Sequence, residues 1–158
     1  MAALHLRVAP LQNPERYESL AQALAGLAGA LLGQDPATLA VTIDDLPAAR
    51  CWIGGQVPQR PTAQLEVSLA EGAASQAQKA DFVAAAHAEL ARQLACGQGL
   101  QEPSYVIVCE LPAADWGWGG QTQAQREAAQ PRAEPAALAP PRRSVVAELV
   151  RFRTAGRR

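Results

Sequence analysis

The side chains best able to act as nucleophiles or metal ligands are few and scattered in this chain. It has three cysteines, none of them in a CxxC pair, and two histidines. Structural zinc sites need several Cys or His ligands at short spacings and disulfide frameworks need paired cysteines, so the sequence predicts neither. We expect no metal and no cofactor. Cys51 and Cys109 are expected to be buried small hydrophobes, and His5 and His87 to have structural roles.

Composition and charge argue against several classes of function. The net charge is -1, which favours neither nucleic acid nor an acidic partner, although six arginines lie within residues 142–158. No charged segment followed by an apolar stretch opens the chain, and no apolar run approaches the length of a membrane span. We therefore expect a cytoplasmic protein that binds neither nucleic acid nor membrane.

The elements that would position functional side chains follow one another in a recognisable order. Residues 3–9 alternate between apolar and polar types, as in a half-buried strand. Asn13-Pro14 predicts a helix start, and leucines at helical spacing lead to a C-cap at Gly33. A second strand is predicted at Ala40–Ile43, and Gly54-Gly55 then suits a tight turn or hairpin.

The same order recurs in the second half of the chain. Thr62–Leu69 alternates, Ser75 and Gln78 form a capping box that opens a helix to about Leu94, and Tyr105–Cys109 is the second strand. Both halves then carry Leu-Pro-Ala-Ala followed by Gly-Gly-Gln, at matched positions. Shared motifs inside a matched element order indicate an internal duplication.

We therefore predict an α/β fold of two tandem β-α-β units with C-terminal hairpins, forming a mixed sheet with helices on one face. The predicted boundaries are 1–56 for the first repeat, 57–60 for a linker and 61–121 for the second repeat. Residues 122–158 are predicted to be an Ala/Pro/Gln-rich linker and a basic tail. Each repeat alone is too small to bury a comfortable core, so association is expected.

Four segments carry a resemblance to a known family. They are Pro61-Thr62-Ala63-Gln64-Leu65-Glu66-Val67, the helix that bears Lys79, Glu110-Leu111-Pro112, and Trp116-Gly117-Trp118-Gly119-Gly120. They resemble the 4-oxalocrotonate tautomerase family, in which a short unit begins with proline and ends in an aromatic-Gly-x-Gly-Gly hairpin. Two tandem copies resemble its fused members, which assemble as trimers. The resemblance covers both repeats and misses only the tail.

The resemblance implies a mechanism and a partner. In this family an amino-terminal proline with a lowered pKa moves a proton between the enol and keto forms of a small 2-oxo or 2-hydroxydienoic acid. Arginines hold the substrate carboxylate, and an apolar wall protects the amine. Trp116 and Trp118 occupy hairpin positions of this motif and are candidate substrate-binding residues. A small-molecule substrate and a homotrimer are therefore expected.

The position matched to the catalytic proline at the chain start is Ala2. Removal of Met1 would leave a primary α-amine, whose reference pKa of about 7.7–8.0 leaves part of it neutral at pH 7. Burial would lower that pKa further. Ala2 is thus the candidate catalytic residue, and the alternative is an exposed, inert terminus. Pro61 is internal, so its nitrogen is an amide and cannot be the base.

The family's arginine positions fall at Ala73, Tyr105 and Ala40, so the usual carboxylate clamp is missing. Tyr105 and Arg7 are the remaining candidate substrate-binding residues. If the first strands of the two repeats pair antiparallel, Arg7 instead lies near Glu66 as an ion pair. A tautomerase-like isomerase of low activity is expected. The alternatives are a catalytically silent ligand-binding or assembly member and a decarboxylase- or hydratase-like lyase.

Overall fold

The computed structural model describes residues 2–10, 13–95 and 97–129. Their strands and helices follow the order strand, helix, strand, twice over, and a short hairpin and helix follow the second set. The elements are β1 (Ala2–Ala9), α1 (Tyr17–Leu32), β2 (Ala40–Asp45), β3 (Thr62–Ala70), α2 (Gln76–Leu94), β4 (Tyr105–Leu111), β5 (Gly117–Trp118), β6 (Gln121–Thr122) and α3 (Gln123–Ala129).

The four long strands form one mixed sheet in the order β2-β1-β3-β4. Within each repeat the two strands are parallel, because a helix carries the chain back to the starting edge. The repeats join through β1 and β3, which are antiparallel, with Leu6 opposite Leu65 near the centre of the ladder. The predicted tandem β-α-β fold is confirmed.

The helix ends follow the chemistry of their capping residues. The Asn13 side chain accepts a hydrogen bond from the Glu15 backbone N–H at 3.1 Å, and a 3₁₀ turn leads into α1. Gly33 ends α1 with a φ of 65°, a left-handed conformation that favours glycine. At α2, Ser75 and Gln78 form both hydrogen bonds of a capping box, as predicted.

The core lies between the sheet and helices α1 and α2, which pack on the same face of the sheet. Apolar side chains from alternate positions of β1 and β3 point into it, because successive strand residues face opposite sides. The largest fully buried side chains include Leu4, Leu6, Val8, Leu20, Leu24, Leu65, Val67, Leu69, Phe82 and Leu90.

Each repeat ends in a glycine turn, and the two turns differ in extent. The second repeat forms the β5–β6 hairpin, whereas the first has a single bridge between Ile53 and Gln56. Gly54 and Gly55 have φ values of 58° and 78°, which match the 60° and 75° of the paired glycines in the second repeat. Two consecutive positive φ angles are the signature of a tight hairpin turn, which explains the Gly-Gly pairs.

Helix α3 lies in the stretch that composition predicts to be a linker. Thr122 caps it: its Oγ1 accepts from the Gln125 N–H at 3.2 Å, and Gln125 Oε1 accepts from the Thr122 N–H at 2.9 Å. This reciprocal pair satisfies two backbone donors at the helix start. The predictions for the tail beyond residue 129 lie outside the described residues. Within the described ranges, no helix combines the length and apolarity that a membrane crossing requires.

Candidate functional site

The sheet has two ends that carry candidate functional residues, and each end combines parts of both repeats. At one end, Ala2 of β1 pairs with Leu69 of β3, and β4 finishes alongside at Leu111. At the other end, Ala9 pairs with Thr62. Because β1 and β3 are antiparallel, the start of each repeat lies at the end of the sheet from which the other repeat's hairpin leaves.

The Ala2 end combines a buried chain start with the tryptophan hairpin. Ala2 is 1% exposed and belongs to the apolar core cluster. The β5–β6 hairpin begins six residues beyond the end of β4. It holds a small cavity of about 280 Å³, lined in part by Trp116 and Trp118. Trp116 is half-buried, whereas Trp118 is 50% exposed. An amine at Ala2 would therefore lie in apolar surroundings, at the end of the sheet from which β4 leads to the tryptophan hairpin. The described lining of the hairpin cavity does not include Ala2.

The other end holds a larger cleft, which we call the aromatic cleft. Its volume is about 380 Å³, and its lining includes Arg7, Trp52, Tyr105, Cys51 and Gln64. Arg7 and Tyr105, which the sequence analysis grouped with Ala2 and the two hairpin tryptophans, thus lie together here. They are separated from Ala2 by most of the length of β1.

Comparison with known proteins finds its matches among solved structures. No family model matches the sequence, and no curated protein matches it either. A fused 4-OT whose structure is an asymmetric trimer is 25% identical, with 80% of this chain and 99% of that chain covered and a TM-score of 0.64. A fused 4-OT that forms a symmetric trimer is 20% identical, with 78% and 98% covered and a TM-score of 0.67. Pt0534, inactivated by 2-oxo-3-pentynoate, is 18% identical, with 77% and 97% covered and a TM-score of 0.68.

The chain has the fused 4-OT fold. The resemblance inferred from the sequence motifs is confirmed at the level of the fold, and it spans nearly the full length of the matched proteins. The uncovered remainder of this chain amounts to about a fifth, which leaves room for the tail predicted beyond the second repeat.

On this fused 4-OT fold, Arg7 is held by two neighbours on the helix-free face of the sheet. Its Nη1 lies 3.9 Å from Glu66 Oε2, so the cross-strand ion pair expected from antiparallel pairing is present. Its Nη2 donates to His5 Nδ1 at 3.2 Å. The other ring nitrogen, His5 Nε2, therefore carries the proton and donates to Asp44 Oδ2 at 2.7 Å. His5 has the structural role expected for it.

The two cysteines that the structure describes, Cys51 and Cys109, give little sign of nucleophilic chemistry. Partial burial raises the pKa of the Cys109 thiol, and the nearby Glu66 carboxylate raises it further. The Cys109 Sγ lies 3.6 Å from Glu66 Oε1, so forming a thiolate would place two negative charges side by side. Cys51 lines the aromatic cleft and is half-buried. Among the described residues, no group of three or more His, Cys, Asp or Glu side chains could hold a metal ion.

Two residues that sequence reasoning missed occupy prominent places. Trp52 lines the aromatic cleft, and it aligns with Gly117 when the two Gly-Gly-Gln motifs are superposed. This difference between the two repeats was the feature of the sequence that could have marked Trp52 as a candidate site residue. Arg126 of α3 packs over Trp118, with its guanidinium carbon 3.8 Å from the ring centroid, and its Nη2 donates to the Trp118 carbonyl at 2.7 Å. No motif marked Arg126, because only the fold of α3 returns it to the hairpin.

Proposed function

We propose that this protein is a tautomerase-superfamily isomerase that moves a proton between the enol and keto forms of a small 2-oxo or 2-hydroxydienoic acid. The proposed base is the α-amine of Ala2, freed by removal of Met1. The observation that carries the proposal is the burial of Ala2 in the apolar core at the hairpin end of a fused 4-OT fold. Apolar burial disfavours the ammonium form, so it supplies neutral amine near pH 7.

The hairpin tryptophans have a matching proposed role. Trp116 and Trp118 would form the apolar wall that limits water at the amine, and Arg126, stacked on Trp118, brings a cation to the same hairpin. Cations of this kind stabilise the enolate charge that develops during proton transfer. The 2-oxo acid that inactivated Pt0534 belongs to the substrate class proposed here. Because the family's arginine positions hold Ala73, Tyr105 and Ala40, we expect a slow reaction.

We also propose that the protein is a homotrimer. Support comes from two similar fused 4-OT proteins whose structures are trimers, one asymmetric and one symmetric. The small core of each repeat adds a physical reason, since a short unit buries too little apolar surface to be stable alone.

The test is the ketonisation of an arylenolpyruvate, followed by ultraviolet absorbance on protein whose start has been established by intact mass. We expect slow but measurable turnover, which acetylation of the Ala2 amine abolishes. Ala2→Pro should raise the rate, because a secondary amine is the base that the family pocket accommodates. Rates that both changes leave unaltered would rule out Ala2 as the base.

Borohydride trapping with a carbonyl substrate adds a check on the site itself. A primary amine forms an imine that borohydride reduces to a stable adduct. We expect the adduct on Ala2 and not on Lys79, because Lys79 Nζ is engaged by Glu110, donating to its Oε2 at 2.9 Å. Peptide mapping that finds the adduct on Lys79 would move the reactive amine to α2.

A further inference from the structure

The aromatic cleft presents two large aromatic side chains to solvent. Trp52 is 63% exposed and Tyr105 is 53% exposed, and both line the cleft. The Trp52 Nε1–H donates to the Ala49 carbonyl at 3.2 Å, which fixes the edge of the indole against its own turn. The polar group of this indole is therefore already satisfied, and its apolar surface is available to stack on a flat ligand.

The position of Trp52 distinguishes this end of the sheet from the other. The aligned residue of the second repeat is Gly117, which lets β5 and β6 approach closely. A Cβ at Gly117 would lie only 2.0 Å from the Gln121 carbonyl oxygen. The first repeat instead forms a single bridge, and its turn carries the indole into the cleft. Although the two repeats are related in sequence, their glycine turns therefore differ in structure, and only the turn of the first repeat places an indole in the aromatic cleft.

Arg7 supplies a positive charge to the same cleft. A guanidinium has five N–H donors, and the contacts of Arg7 with His5 and Glu66 occupy only two of its nitrogens. Its side chain is 39% exposed, and the Glu66 contact is long at 3.9 Å. Arg7 therefore keeps donors for a carboxylate, whose two oxygens match the fork of a guanidinium.

The cleft has no counterpart of the Ala2 amine. The residue that begins the second repeat is Pro61, which is internal and buried, and its nitrogen belongs to an amide. Its carbonyl accepts a hydrogen bond from the Gln101 N–H at 2.7 Å, which ties this chain segment into the fold. The described lining of the aromatic cleft therefore supplies no amine for proton transfer.

We propose that the aromatic cleft is a second ligand site, which binds a small flat aromatic carboxylate without converting it. The ring stacks against Trp52 and Tyr105, and the carboxylate pairs with Arg7. The cleft volume of about 380 Å³ falls in the range of small-molecule sites, roughly 300–1,000 Å³. This site is independent of the proposed reaction at Ala2 and lies at the opposite end of β1.

The test uses the full chain and cinnamate as the probe, with uncharged cinnamamide as the matched control ligand. We expect cinnamate to bind with a Kd of about a millimolar or below, by calorimetry, and to shift the Trp52 indole N–H resonance. Arg7→Gln should weaken cinnamate binding roughly tenfold or more and leave cinnamamide binding unchanged. Trp52→Gly, which copies the second repeat, should weaken the binding of both ligands.

Two controls separate this cleft from the Ala2 end. Trp118→Gly and acetylation of the Ala2 amine should each leave cinnamate binding unchanged. Tyr105→Ala provides a second wall variant if Trp52→Gly does not fold, and the resonance shift in unmodified protein needs no variant at all. Cinnamate that leaves the Trp52 resonance unmoved at millimolar concentration, or that binds Arg7→Gln and the unmodified protein equally, would overturn the proposal. If a neighbouring copy covered the cleft, cinnamate would leave the Trp52 resonance unmoved, and the proposal would be wrong.

Discussion

The Glu110 carboxylate, near the end of β4, is held by two donors from the second repeat. Lys79 Nζ donates to its Oε2 at 2.9 Å, and the backbone N–H of Gly72 donates to its Oε1 at 3.2 Å. The Lys79 hydrogen bond is the larger of the causes that lower the pKa of Glu110, and the Gly72 bond adds to it. This carboxylate thus joins the start of α2 and the turn after β3 to strand β4.

Replacing Glu110 with glutamine should destabilise the fold in a pH-dependent way. Because the folded-state pKa of Glu110 is lowered, its carboxylate stabilises the fold above its ordinary pKa, and this effect is lost as the pH falls through the lowered value. Glu110→Gln should therefore lower the urea midpoint near pH 7, and the difference should stay level down to about pH 5 and shrink as the pH falls further. Glu71→Gln, at an exposed carboxylate nearby, is the control. A difference that stays constant with pH would contradict the ion-pair explanation.

The second hairpin depends on a close approach that only glycine permits. A Cβ on Gly117 would lie 2.0 Å from the Gln121 carbonyl oxygen and 2.7 Å from the Thr122 Cα. Both contacts are with backbone, which cannot swing aside as a flexible side chain does. The β5–β6 pairing that presents Trp118 therefore requires glycine at this position.

Gly117→Ala should open the hairpin with little effect on the core. We expect a changed near-ultraviolet circular dichroism signal from the tryptophans, a loss of the proposed activity, and a small change in urea midpoint, because the buried core lies between the sheet and α1 and α2. Gly26→Ala is the matched control, since an added Cβ there meets nothing within 4 Å. It should stabilise α1 by about 0.5–1 kcal/mol. If the near-ultraviolet circular dichroism of Gly117→Ala equalled that of the unmodified protein, the claim that the hairpin requires glycine at this position would be wrong.

Within the described residues, the sheet has one face without helices and two edge strands, and several buried donors lack an acceptor. Both helices pack on one face of the sheet, and the opposite face carries half-buried polar side chains such as His5 and Glu66. Strands β2 and β4 are the edges of the sheet. Trp116 Nε1, Gln123 Nε2 and Arg126 Nε are buried donors without an acceptor in the described part of the chain. Contacts with further copies would satisfy such groups.

Sedimentation should therefore find a homotrimer, at three times the 16.6 kDa mass of the chain. The physical reason is that each repeat buries too little apolar surface alone, and a cyclic assembly closes identical surfaces on one another. Analytical ultracentrifugation across a dilution series provides the measurement. A stable monomer at micromolar concentration would contradict the proposed assembly and any site that spans two copies.

Local sequence patterns were sufficient to predict the strands and helices of the two repeats and their order along the chain. Alternation in β1 and β3, the Asn13 cap and the Ser75–Gln78 capping box each depend on residues within a few positions of one another, and all are present in the structure. The duplicated motifs then predicted two matching β-α-β units. The pairing of Arg7 with Glu66 also followed, once antiparallel first strands were assumed.

The grouping of the candidate site residues was decided only by the tertiary structure. Antiparallel pairing of β1 with β3 places Arg7 and Tyr105 with Trp52 in one cleft, and leaves Ala2 at the opposite end of β1. Likewise, only α3 brings Arg126 onto Trp118. The physical reason is that strand register and helix docking join residues far apart in the sequence. Periodicity reports which face of its own element a residue occupies, but it carries no information about which distant side chain lies opposite.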